Sequence, residues 1–423
     1  MVEVWLPYGE TQVPVRIPDE NMLGIVEPRE KPGAQDPKAE IRRALENPIG
    51  TKRLRDTAKA GNRVAIVVED ITRPSPSYLM VPPILDELNQ VDVKDEDITV
   101  IFGCGTHRPV RQEEMAQLVG EDVLKRVKVV NHDCNAADLV FVGETSFKTK
   151  VYVNRIFAEA DLRVLTGDIE FHYYAGYGGG RKAVLPAVSG AGTIQHNHAL
   201  LLHPNATTGV LEGNPVHADM LEAARLAKVD FILNVVMNTQ KKVVRAFAGE
   251  VEQAFIEGVK LVDEMYKVPV ESPAEIVITS ADGIPHDVNL FQALKAVENA
   301  QNITKNGGIV ILVAECREGH GNQVFYDWMT KFRDLNEVEG EIKRKFVLGG
   351  HKAYYLLKAL GKVKIILVST LPDYYATGIF KLKTAKTVND ALRMAFNIAG
   401  RKAKIWIVPH GSTTLPVLSG TTT

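Results

Sequence analysis

The chain has little that would staple, span or coat. Its 423 residues include only three cysteines, Cys104, Cys134 and Cys316. They are too few and too scattered for a disulfide framework or a cysteine-rich zinc site, and a reducing compartment is the natural setting. No stretch of about 20 apolar residues occurs, so no membrane span is expected. The opening Met1-Val2-Glu3-Val4-Trp5-Leu6-Pro7 has no basic segment followed by an apolar one and does not read as a signal peptide. Neither sign of charge dominates, with 50 Lys and Arg against 52 Asp and Glu. A nucleic-acid binder usually shows a basic excess or stripe, so no such partner is expected. The expectation is a cytoplasmic protein with neither a nucleic-acid nor a membrane partner.

What is present is ordinary globular composition, 45% hydrophobic and 24% charged, with 33 glycines. The length suggests roughly two to three domains. Residues 2–6 and 12–18 alternate around Gly9 and read as a hairpin. The stretch Glu27 to Pro37 reads as loop. Val64-Ala65-Ile66-Val67-Val68 is a continuous apolar run, the mark of a strand buried on both faces. A helical pattern follows it to about Leu88. Strands near 98–102, 127–130, 162–165 and 231–236 repeat the alternation with helices, which predicts a parallel sheet built from βαβ units. An amphipathic stretch from Val251 to Met265 leads to Pro269 and Pro273. Strands near 275–279, 309–313, 363–368 and 405–408 then build a second sheet. The expectation is an α/β protein of two α/β domains with mainly parallel sheets, residues 1–268 and 269–408. The tail 409–423 is expected to pack back on the first domain, and the active site to lie in the cleft between the two.

Chemistry concentrates in one window, FHYYAGYGGGRKAVLPAVSGAGTIQHNHALLLHP, which holds four of the eleven histidines. The glycines Gly178, Gly179 and Gly180 precede Arg181-Lys182. Such a loop suits close approach of backbone N–H groups to a phosphate or cofactor, or is a tight turn beside a solvated basic pair. It is not a Walker A loop, because Lys182 is followed by Ala183. His196 and His198 are two apart, roughly 200° around a helix, so one faces a ligand and the other does not. His107 and His172 each follow an apolar strand and can face one site, where imidazoles suit proton transfer near neutral pH. Asp70 and Arg73 flank Thr72 in the first strand-to-helix loop. There Arg73 and the following helix N-terminus suit an anion, or Asp70 is only a cap. Gln292 and Lys295 share a helix face and suit a carboxylate, or are a solvated face. Cys316, beside Arg317, is weak as a nucleophile. His320 and His351 have no role legible here.

In this order the motifs resemble the lactate racemase family, the nickel-pincer enzymes. The likeness rests on Asp70-x-Thr72-Arg73-Pro74, Gly105-Thr106-His107-Arg108, the run His172 to Lys182, His198, and Gln292-x-x-Lys295. It runs through nearly the whole chain, and the central run is its specific part. The resemblance implies a pyridinium-3,5-bisthiocarboxylic acid mononucleotide bound covalently to Lys182. It implies nickel held by two sulfurs, a ring carbon and His198, with His107 and His172 as acid and base. Arg73, Gln292 and Lys295 would meet the substrate, and Asp70, Arg73 and Gly178 to Gly180 the cofactor. The implied reaction inverts C2 of a 2-hydroxy acid through a 2-keto acid, and cofactor-maturation proteins are implied partners.

That chemistry is coherent, because C2–H of a hydroxy acid is too weakly acidic for a histidine to remove at neutral pH. A hydride acceptor supplied by a cofactor solves this, and the protein supplies orientation and proton transfer. Two departures bear on the substrate. Phe291 stands where lactate-active members tend to carry a tyrosine, and His351 lies near the place of a tryptophan. Trp328 and Trp406 fall elsewhere. A different pocket around C3 is implied, so lactate is not singled out among 2-hydroxy acids. Two other functions compete. A nicotinamide-dependent oxidoreductase would share the hydride chemistry, but no G-x-G-x-x-G follows the first strand. A non-catalytic nickel or cofactor carrier would need His198 and Lys182 without His107 and His172.

Overall fold

A computed structural model describes residues 1–419, so residues 420–423 of the tail lie outside the described residues. The chain forms two compact units, Glu30–Glu264 and, together, Met1–Arg29 with the residues from Met265 onward.

The unit of residues 30–264 is built on a six-stranded sheet. Its order is Val243–Gly249, Phe231–Met237, Leu162–Asp168, Val64–Glu69, Ile98–Gly103, Lys128–Asn131. Neighbours run parallel except the edge strand Val243–Gly249. Val64 to Val68 are all buried, as a strand with both faces covered requires. Ile66, Val68, Val100, Phe102, Val164 and Leu233 pack in one core with Met80, Ile84 and Leu88 of the helix Ser77–Asn89. The chain leaves Val64–Glu69 toward one edge, then returns to lay Leu162–Asp168 and Phe231–Met237 on the other side. That reversal is a topological switch point, and ligands of such sheets bind beyond the carboxyl ends of the strands there. Glu69, Asp70 and Asp168 stand at those ends.

The other unit holds a second six-stranded sheet, all parallel. Its order is Lys383–Ala385, Lys364–Val368, Thr304–Val313, Ala274–Ser280, Ile405–Val408, Met22–Ile25. The expected N-terminal hairpin forms, Val2–Tyr8 with Thr11–Ile17. Its inward residues Val4, Leu6, Val15 and Ile17 share a core with Ile276, Ile278, Ile309 and Ile311.

Here the structure corrects the expected boundaries. Residues 1–29 belong with the C-terminal sheet, not with a domain 1–268, because Met22–Ile25 pairs with Ile405–Val408. The described part of the tail differs too, since Leu415–Leu418 pairs with Lys267–Val270 inside the same unit. Alternation in the hairpin reveals which face is buried but not which sheet buries it, so sequence order misled.

Candidate active site

Three segments that leave the carboxyl ends of Val64–Glu69, Ile98–Gly103 and Leu162–Asp168 carry Asp70, Arg73, His107, His172, Lys182 and His198. In the loop after Val64–Glu69, Asp70 is buried, and one of its oxygens accepts from Thr72 N at 2.8 Å and Thr72 Oγ1 at 2.5 Å. Its other oxygen meets His107 Nδ1 at 2.7 Å. Burial would raise the Asp70 carboxyl, but the hydrogen bond and charge of His107, with the two Thr72 bonds, hold it below the usual range. An ionised carboxylate only accepts. His107 therefore carries its proton on Nδ1 when neutral and leaves Nε2 as the basic nitrogen.

His172 is arranged the opposite way. It lies in the two-residue strand Phe171–His172, paired to Gly176–Tyr177, and its Nδ1 accepts from Ala175 N at 3.3 Å. In the neutral ring the proton then sits on Nε2. His172 packs edge-on against Tyr174 at 4.5 Å between ring centroids, and Tyr174 against His198 at 5.2 Å. The short hairpin thus brings His172 and His198 to one buried tyrosine.

Lys182 lies in a turn of 3-10 helix, Gly180–Ala183. Burial, then the positive charges of Arg73 and Arg181, push its amine well below the usual lysine range, against the pull of Glu170 and Glu69. The neutral amine is the nucleophilic form. His198 sits in the helix Ala191–Ala199. Burial, with Lys182 and His107 nearby, takes its imidazole down to about 3. A neutral imidazole is the form that ligates a metal. His196, on the same helix, is exposed and lies 3.0 Å from Phe147 O, so the helix separates the two histidines as its period demands.

The glycine loop has a cause inside the chain. Gly178 N donates to Glu170 O at 2.7 Å and Gly180 N to Asn234 Oδ1 at 3.0 Å. Two of the three amides expected to cradle a phosphate are therefore engaged. Gly179 has φ +74°, and a Cβ there would sit 2.8 Å from Asp168 O. Arg181, half of a solvated basic pair on one of the two readings of the loop, is fully buried. It donates to Ala175 O at 2.8 Å and to His217 Nδ1 at 3.0 Å, and lies over the Phe255 ring. It stitches the loop rather than facing solvent.

The residue-by-residue reading missed an acidic group under the loop. Asp168 N donates to Glu69 Oε2 at 3.1 Å. Burial, then the charges of Glu69 and Glu170, raise the Asp168 carboxyl well above its usual range. Arg73 is half-buried, and its guanidinium is held charged against burial by Glu170, Glu69, Asp70 and Asp168. Position at the last residue of a buried strand was the signal for Glu69 and Asp168. Asn197, Asp219 and Tyr174 were missed as well, and nothing in the pattern marks them.

Gln292 and Lys295 lie in the helix Leu290–Ala300 of the other unit, both half-buried, and Gln292 N donates to the capping Asn289 at 3.0 Å. Phe291 meets Phe325 and His351, each at 6.0 Å between ring centroids. His351 is buried and also stacks on Phe346, while His320 stacks on Tyr326. Burial pushes the Cys316 thiol up to about 12, which makes it inert. Among the described residues, no three or more His, Cys, Asp or Glu are grouped to hold a metal ion. No helix among them is long and apolar enough to cross a membrane.

Comparison with known proteins bears on the whole chain. Residues 8–209 match the family model for the lactate racemase N-terminal domain, and residues 270–415 that for the lactate racemase C-terminal domain. The lactate racemase of Thermoanaerobacterium thermosaccharolyticum is 36% identical, over 97% of this chain and 98% of the relative. That of Lactiplantibacillus plantarum is 33% identical, over 97% and 99%. The solved lactate racemase apoprotein from Thermoanaerobacterium thermosaccharolyticum superposes with a TM-score of 0.91 at 35% identity, covering 98% of this chain and all of that one. A Thermotoga maritima protein at 20% identity shares the fold, with a TM-score of 0.65 over 90% of this chain and 98% of that one.

Proposed function

The chain belongs to the lactate racemase family and is an isomerase of the racemase type, and on that premise we propose that it inverts C2 of a small 2-hydroxy acid through the planar 2-keto acid. Lactate, the substrate in its relatives' names, is the first to test. The observation that carries the reading is the opposite tautomers of two histidines. Asp70 leaves His107 with a basic Nε2, and the backbone of Ala175 leaves His172 with Nε2–H. His107 can take a hydroxyl proton on its bare Nε2, and His172 can hydrogen-bond a hydroxyl oxygen through Nε2–H, one group for each side to which the two enantiomers present their hydroxyl.

The side chains fit the nickel-pincer cofactor. His198 is a neutral imidazole and Lys182 a neutral amine, and with no cluster of protein ligands among the described residues, further donors would come from the cofactor itself. Bound at Lys182 and His198, that group supplies the hydride acceptor. The protein's own work is to orient the substrate and move its hydroxyl proton. Arg73 offers a permanently charged guanidinium to the carboxylate. Asp70 fixes the His107 ring and offsets the charge it gains. Maturation proteins in a cytoplasmic setting would supply the cofactor.

The test is the intact mass of the full chain made in cells that produce the cofactor, with peptide mapping around Lys182 and an assay of D- to L-lactate conversion. An adduct on Lys182 with interconversion is the expected result. An unmodified Lys182, in cells where a relative is loaded, would overturn the reading.

A further inference from the structure

Behind His198 runs a buried chain of hydrogen bonds whose direction is forced from one end. Asp219 is fully buried, and three donors converge on its carboxylate: Thr145 Oγ1 at 2.5 Å, Thr149 Oγ1 at 2.9 Å and Asn197 Nδ2 at 2.9 Å. Asn197 Nδ2 also donates to Val216 O at 3.2 Å. A carboxylate and a carbonyl only accept, so both partners demand the NH₂ end of the Asn197 amide. Side-chain amides are oriented by such networks, and this one allows a single orientation. Asn197 Oδ1 is thereby turned to His198, 3.1 Å from its Nδ1. An amide oxygen accepts, so Nδ1 must donate.

We propose that Asp219 and Asn197 are positioning residues that fix His198 as its Nδ1–H tautomer, presenting an unprotonated Nε2 as the donor atom for a metal. The inference rests on the reading of His198 as the nickel ligand, and it adds which nitrogen binds and what decides it. Outer partners of this kind orient a ligating imidazole, and their loss typically weakens metal binding 10- to 100-fold. The entropic cost of aligning the ring is met in advance by a network that folds with the protein. Thr145 and Thr149 come from a turn outside the helix, so the helix Ala191–Ala199 and that turn together set the direction.

The experiment uses the full chain labelled with ¹⁵N-histidine, free of cofactor, with the His198 signals identified by their loss in His198→Gln. Nitrogen shifts and their couplings to ring protons report the tautomer directly, and a merely structural role would not alter it. The expected result is Nδ1–H in the native chain, and a mixed or Nε2–H ring in Asn197→Leu and Asp219→Asn. In chains made with the cofactor, both variants should keep the Lys182 adduct by peptide mass but hold nickel about 10-fold more weakly or worse. An Nε2–H ring in the native chain overturns the proposal by itself, whether or not either variant folds. An unchanged tautomer in both folded variants overturns it too. His198→Ala separates the two readings: if it keeps nickel, the ligand role falls while the tautomer result stands.

Discussion

Asp70 and His107 show how two side chains that are weak signals singly become a defined hydrogen-bonded pair. The carboxylate selects the tautomer and stabilises the imidazolium formed when Nε2 takes a proton. Asp70→Asn keeps the size but removes the charge. It is expected to lower kcat about 100-fold or more, within the range for a misoriented general base, with a smaller change in KM. Steady-state kinetics with each enantiomer would check this. His107→Ala and His172→Ala should retain the Lys182 adduct while losing activity, which a carrier would not predict. His217 makes a pH statement of another kind. Burial, with Arg181 and Arg225 near, takes it down to about 3, and its Nδ1 accepts from Arg181. An unfolded histidine titrates near 6.5. As pH falls from about 6.5 toward 3, the unfolded chain gains a proton that the folded chain refuses, so stability drops by up to about 1.4 kcal/mol per pH unit. His217→Gln keeps an acceptor for Arg181 and should flatten that acid limb by about one proton, as read by denaturant unfolding at pH 4 to 7.

At the scale of elements, the loop that joins Phe171–His172 to Lys182 is held by its own backbone geometry. Gly179→Ala meets both a left-handed φ and the Asp168 carbonyl, and is expected to cost about 2 kcal/mol or more. Gly192 is the contrast. It lies in the helix Ala191–Ala199, and a methyl group added there would meet nothing within 4 Å, so Gly192→Ala should stabilise by up to about 1 kcal/mol. Thermal unfolding of the two variants side by side checks both signs. Glycine density sets this window apart in the sequence, yet the two glycines serve different ends. One turns the chain beneath Asp168, and the other only loosens a helix.

At the scale of the whole molecule, the second sheet depends on residues from the opposite end of the chain. Deleting residues 1–26 removes the edge strand Met22–Ile25 and exposes the core faced by Leu6, Val15 and Ile17. The unfolding transition of the C-terminal unit should shift down or vanish, while that of residues 30–264 stays in place. Calorimetry of the truncated chain tests this, and an unshifted C-terminal transition would refute it.

The sequence by itself determined the strand-and-helix alternation. Continuous apolar runs such as Val64–Val68 and Ile309–Val313 read as strands covered on both sides, and they are. It also identified the family, because the run from His172 to Lys182 is specific. Periodicity alone separated His196 from His198 on one helix. Only the tertiary structure decided which unit owns the first 29 residues, since pairing partners of short strands lie far apart in the chain. It alone decided that Arg181 is a buried strut, that Glu69 and Asp168 form an acidic pair, and that Asp219 reaches His198 through Asn197. The physical reason is shared. Local pattern fixes backbone period and burial, whereas hydrogen-bond direction and protonation depend on which donors and acceptors folding brings within about 3 Å.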